Sequence, residues 1–88
     1  MLFQLQGKLA EATAMYERAL RGRERTLGPH HKDTLDTLAG LAMALRLQGK
    51  PEEAKVLFAR AYQGFKRTLG PNHPNTTSLA LFLPTFNK

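Results

Sequence analysis

Three histidines, His30, His31 and His73, are the residues best suited by type to hold a metal ion. Their spacing argues against it: His30 and His31 are adjacent, and no i, i+4 histidine pair or cluster of acids accompanies them. Acid–base catalysis needs a carboxyl group whose surroundings shift its protonation. Glu11 and Glu17, or Glu52 and Glu53, are the available pairs, and each lies on the polar face of a predicted helix with no apolar pocket around it. Glu17 stands four residues before Arg21 and is expected to support the helix there, a pair worth a few tenths of a kcal/mol. Ser78 is the sole serine and sits in no nucleophile-elbow pattern. With no cysteine, thiolate nucleophiles, thiolate metal sites and disulfides all drop out. The expectation is therefore a protein without catalytic residues, cofactor-binding residues or metal ligands, and not an enzyme.

Charge offers a different chemistry. Thirteen Lys and Arg against seven Asp and Glu leave a net charge of +6 in 88 residues, which favours acidic partners. Arg18, Arg21, Arg23 and Arg25 cluster in one predicted helix, and Lys55, Arg60, Lys66 and Arg67 in another. A nucleic-acid-binding module is the reading these invite. Against it, the basic residues scatter around the helix circumference, and no exposed aromatics interleave with them.

The elements that carry these residues repeat. Leu5-Gln6-Gly7-Lys8 recurs as Leu47-Gln48-Gly49-Lys50, and Arg25-Thr26-Leu27-Gly28-Pro29 as Arg67-Thr68-Leu69-Gly70-Pro71, each displaced by 42 positions. His31 meets His73 and Thr34 meets Thr76 at the same displacement. Within the unit, Ala54, Leu57, Phe58, Ala61, Tyr62, Phe65 and Leu69 follow a helical period, as do Ala12, Met15, Tyr16, Ala19 and Leu20. Leu38, Leu41, Ala42 and Leu45 mark a second helix between them, so each unit is a helix pair. Gly49 suits a helix C-terminus, Pro51 a first turn, and Gly28-Pro29 and Gly70-Pro71 break the longer helix. The pattern predicts helices at about 9–27, 33–48, 51–69 and 74–83, with residues 1–6 the tail of an earlier helix. The longest apolar run, Leu79 to Leu83, is far short of a membrane span, and the start lacks the features of a secretory signal, so the expected location is cytoplasmic with no membrane partner.

Gly7-Lys8-Leu9-Ala10-Glu11-Ala12, Gly49-Lys50-Pro51-Glu52-Glu53-Ala54 and the paired Leu-Gly-Pro-x-His turns at 27–31 and 69–73 resemble the tetratricopeptide repeat in its 42-residue form, the version found in kinesin light chains. Ala12, Ala19, Ala42, Ala54 and Ala61 match the small residues this family places where helices cross, with Tyr16 and Phe58 as bulky neighbours. The resemblance implies an all-α, right-handed helix-turn-helix solenoid of about two repeats, a piece of a longer array or of an oligomer. Repeat one covers approximately residues 1–31 and lacks most of its first helix, and repeat two covers approximately 32–73. A partial third first helix follows at 74–83, then a tail at 84–88. Pro84 falls opposite Ala42 and is expected to stop or kink the array near Leu83. Leu9 and Pro51 stand where such repeats usually carry an aromatic, and Gly22 and Gly64 fall mid-helix, each costing about 1 kcal/mol against Ala unless it permits close packing.

In function, the resemblance implies a protein-interaction scaffold that holds a peptide or partner helix on the concave face, lined by the first helix of each repeat. The family's groove positions correspond to Asp36, Ala39, Gly40, Met43 and Arg46, with Met1 and Gln4 from the earlier helix and Ser78 from the later one. Related arrays often carry ligand-clamping asparagines where this chain has Asp36 and Thr37. In the family the turn histidine precedes a helix, so His31 and His73 are expected to order the loop or cap the helix. Apolar residues near both ends, Met1, Leu2 and Phe3, and Leu79, Leu81, Phe82 and Leu83, add self-association into a homo-oligomer as a further reading.

Overall fold

The chain turns wherever a glycine can take a backbone conformation closed to other residues. The computed structural model describes the backbone of residues 2–86 and the side chains of residues 7–81. Four helices follow one another: α1 Leu2–Thr26, α2 Lys32–Leu47, α3 Pro51–Leu69 and α4 Pro74–Phe86. Among the described residues there is no strand. Gly28, Gly49 and Gly70 lie between them at φ of 93°, 85° and 98°. Such a residue lets the last carbonyls of a helix find donors beyond its end. After α2, the Gly49 N–H donates to the Arg46 carbonyl at 3.1 Å and the Lys50 N–H to the Leu45 carbonyl at 2.9 Å.

The N-termini of α2 and α4 are built alike. The Asp33 N–H donates to His31 Nδ1 at 3.1 Å, and the Asn75 N–H donates to His73 Nδ1 at the same distance. The turn histidines are thus side-chain caps for backbone donors that have no partner within the helix. Helix α3 has no side-chain cap at Lys50; Pro51, Glu52 and Glu53 in its first turn replace one. Proline has no N–H to leave unpaired, and the two carboxylates face the positive end of the helix dipole.

Each helix packs on the next, α1 on α2, α2 on α3 and α3 on α4. Leu35, Leu38, Leu41, Ala42 and Leu45 of α2 meet Ala54, Phe58, Ala61 and Phe65 of α3 in the core, joined by Leu20 from α1 and Leu79 from α4. Ala42, Ala54 and Ala61 have no exposed surface, as residues at the closest helix crossings should. The α1–α2 seam is antiparallel and pinned at two places: Thr13 donates to Gln48 Oε1 at 2.7 Å, and the Arg23 guanidinium donates to the Thr37 hydroxyl. The result is a slab of 40 × 35 × 18 Å. Its thin dimension is two helix layers, since packed helix axes stand about 8–10 Å apart.

The mid-helix glycines have different fates. A Cβ on Gly64 would come within 2.4 Å of Leu35 Cδ2, so the bare glycine is what lets α2 sit so close to α3. Gly22, its counterpart in α1, has nothing within 4 Å of the corresponding point. Close packing is therefore the reason for one glycine and not for the other.

Two expected boundaries are corrected. Residues 2–6 are not the tail of a separate helix; α1 runs unbroken from Leu2 through Gly7 to Thr26. The difference from the second copy lies after the glycine. Lys50 precedes Pro51 and is held away from helical geometry by the proline ring, whereas Lys8 precedes Leu9, which imposes nothing of the kind. Helix α4 likewise does not end near Leu83 but continues through Pro84 to Phe86. Pro84 lies in the last turn, where its missing N–H removes a single ladder bond and its fixed φ is itself helical.

Candidate partner-binding surface

Helix α2 is held by α1 on one side and α3 on the other, and its burial pattern shows what remains. From Thr34 to Leu45, the residues that are not buried are Asp36, Ala39, Gly40 and Met43. These stand at i, i+3, i+4 and i+7, a single stripe along the helix. The groove residues expected on α2 are thus brought together on one face, with Arg46 extending it: the Arg46 guanidinium lies 3.7 Å from Met43 Sδ.

The stripe is less open than a list of its residues implies. Ala39 and Met43 are half-buried and pack against the edge of the core. Gly40 is covered, because the Tyr16 ring of α1 lies where its Cβ would stand, with Cε1 only 2.6 Å from that point. Asp36 is exposed and paired with Lys32 at 3.2 Å. Thr37, the neighbour that resembles a clamping position in sequence, is buried and turned towards Arg23. Ser78 is exposed on α4, at the counterpart of Asp36 one 42-residue unit later. Met1 lies outside the described residues, as does the side chain of Gln4.

Glu11, Glu17, Glu52 and Glu53 are all exposed, and Glu17 makes no pair with Arg21. Glu24 instead reaches from α1 to Arg60 of α3, at 3.6 Å. Among the described residues, no three His, Asp or Glu side chains are grouped to hold a metal ion, and no helix is long and apolar enough to cross a membrane.

Sequence reasoning missed one arrangement of charge. Arg60, Gln63, Gly64 and Arg67 share a stripe of α3, and with Lys66 they border an open cleft of ≈ 660 Å³ whose floor is Leu35 and Leu38. Of the basic residues of α3, Arg60 and Arg67 therefore share a face, seven residues apart, while Lys55 and Lys66 do not fall on that stripe. The seven-residue spacing was available in the sequence, but the leucines beneath it come from another helix.

With the helix pairs, glycine turns and small-residue crossings established, one comparison decides the family: a family model described as the tetratricopeptide repeat matches residues 1–67. The chain belongs to the tetratricopeptide repeat family. No match was found among curated proteins or among solved structures. Tetratricopeptide repeats are a non-catalytic scaffold family that generally mediates protein–protein interaction.

Proposed function

We propose that this tetratricopeptide array is an interaction module, without catalysis, that holds a peptide or a partner helix against α2 along Asp36, Ala39, Gly40, Met43 and Arg46, with Ser78, Met1 and Gln4 as the further groove positions that the family resemblance implies. The observation that carries this reading is the burial pattern: Asp36, Ala39, Gly40 and Met43 are the α2 positions between Thr34 and Leu45 that are not fully buried, with Gly40 lying beneath the Tyr16 ring. Met43 supplies a pliable apolar contact, Arg46 a fork of donors for a carboxylate, and the Tyr16 ring over Gly40 a firm apolar wall beside them. Such a surface recognises side chains in sequence, with little net charge of its own, and its partner is a protein in the same compartment, the cytoplasm.

A photo-crosslinking residue in place of Met43 should capture a bound partner, while the same residue in place of Val56, exposed on α3, should not. Simultaneous Asp36→Ala, Met43→Ala and Arg46→Ala substitution should abolish capture and leave the helical circular dichroism intact. Equal capture at both positions, or full capture by the folded triple variant, overturns the assignment.

A second reading, self-association, is favoured by α1. Met15 is 69% and Tyr16 38% exposed, whereas their counterparts in α3 are the half-buried Leu57 and Phe58, the latter 1% exposed. A cleft of ≈ 350 Å³ lies along this face, lined by Ala12, Met15, Tyr16, Ala19, Arg23 and Thr37. In α3 the matching face is covered by a helix, α2. A second copy offering a helix of the same kind to α1 would bury it. Light scattering of the 88-residue chain should then give a mass that rises with concentration and falls to the monomer for Met15→Glu; a concentration-independent monomer excludes this reading.

A further inference from the structure

The cleft between α3 and the loop after α1 lies apart from the α2 stripe: none of Asp36, Ala39, Gly40, Met43 or Arg46 lines it. Its floor and its rim differ in chemistry. The floor is aliphatic, made by Leu35 and Leu38, which are 2% and 3% exposed, and by the bare backbone of Gly64. The rim is basic, with Arg60, Lys66 and Arg67 on α3 and His30 on the loop opposite. Glu24 is the acid facing this rim, and it is occupied by Arg60. Lys66 borders the cleft, with its ammonium over the Tyr62 ring, 5.9 Å from the ring centre.

We propose that this cleft is a second docking surface, for an acidic polypeptide segment that seats one aliphatic side chain on Leu35 and Leu38 and lays its carboxylates on Arg60, Lys66 and Arg67. Charge complementarity selects the occupant. In a chain of net charge +6, three cations bordering an apolar floor attract an anion, and fork-shaped guanidinium groups pair with carboxylates. The floor selects polypeptide over nucleic acid. Leucines give a base nothing to stack on, and apart from His30 no aromatic ring lines the cleft. An aliphatic side chain flanked by Asp or Glu satisfies floor and rim together. The volume is within the range of about 300–1,000 Å³ seen for specific small sites. Glu24 sets the strength, because a ligand carboxylate must share Arg60 with it.

The test uses the full 88-residue chain and a fluorescein-labelled peptide of alternating Glu and Leu, read by fluorescence anisotropy at low salt. Controls are the same peptide with Gln for Glu, the same peptide with Ser for Leu, and labelled single-stranded oligothymidine. The Glu–Leu peptide should bind and both altered peptides should bind at least about tenfold more weakly. Lys66→Glu with Arg67→Glu should weaken binding by about tenfold or more, and Arg67→Gln by a smaller factor. Glu24→Gln should tighten it a few-fold by freeing Arg60, and Met43→Glu, on the other surface, should leave it unchanged. Circular dichroism establishes that each variant is folded, and the gain from Glu24→Gln cannot come from misfolding. No binding at low salt, or binding indifferent to Lys66, Arg67 and Glu24, overturns the proposal. Tighter binding of oligothymidine with the same dependence on these residues overturns it in favour of nucleic acid.

Discussion

At the scale of single residues, most of the structural work falls to side chains that close a polar account at a helix end and to side chains that are missing. His31 and His73 each accept one backbone N–H, and loss of such a cap costs about 0.5–2 kcal/mol. His31→Ala should lower the unfolding free energy by about 1 kcal/mol in urea denaturation, while His31→Asp, which keeps an acceptor and adds charge at the helix N-terminus, should restore it. The glycines give a paired prediction of opposite sign. Gly22→Ala adds a methyl where nothing is within 4 Å and should stabilise by about 1 kcal/mol from helix propensity alone. Gly64→Ala gains the same propensity but drives a Cβ into Leu35, whose Cδ2, Cδ1 and Cγ stand 2.4, 2.9 and 3.2 Å away. Leu35 is itself buried, so it has little room to turn aside. Overpacking costs about 1–3 kcal/mol, and the net effect of Gly64→Ala should be destabilising in the same denaturation experiment.

At the scale of helices, punctuation was largely legible in the sequence, because caps and turns are local chemistry. Gly49 before Pro51, Gly70 before Pro71 and the His31 cap each specify a boundary from within a few residues. What misled was the assumption that a copied segment copies its bend. Gly7-Lys8 repeats Gly49-Lys50, yet the first is helical and the second a turn, because the deciding residue is the next one, Leu9 or Pro51. Leu9→Pro should therefore break α1 near Lys8, seen as loss of helical carbon chemical shifts for residues 2–8 with those of 12–26 retained. If the shifts of residues 2–8 stay helical in that variant, the proline is not what distinguishes the two copies. The covering of Gly40 by Tyr16 and the leucine floor under Arg60 and Arg67 were not legible for the opposite reason. Both join residues from different helices, and periodicity along one helix carries no information about the height at which its neighbour arrives.

At the scale of the whole molecule, the slab is a chain of nearest-neighbour contacts, α1 to α2 to α3 to α4, with a core concentrated in the middle seam. Fold class and the helix-pair unit could be read from the 42-residue period, since one period fixes every seam at once. An array of this kind distributes its stability over interfaces between successive helices. A domain of this size has about 5–15 kcal/mol to lose, and Phe58, with Phe65 one of the two largest side chains sealed between α2 and α3, holds a large part of it. Phe58→Ala should cost about 3–5 kcal/mol and reduce the thermal transition to a broad, weakly cooperative one by calorimetry, whereas Tyr16→Ala, at the more open seam, should lower the midpoint and leave the transition sharp.

The contrast between Gly22 and Gly64 reaches further than stability. A missing side chain is a measure of distance: at Gly64 it sets how near α3 can lie beside α2, and so fixes the closeness of the two rods within one unit of this design. Gly22 repeats it in α1, 42 residues earlier, with nothing within 4 Å of where its Cβ would stand. The notch is thus cut twice in 88 residues and filled once.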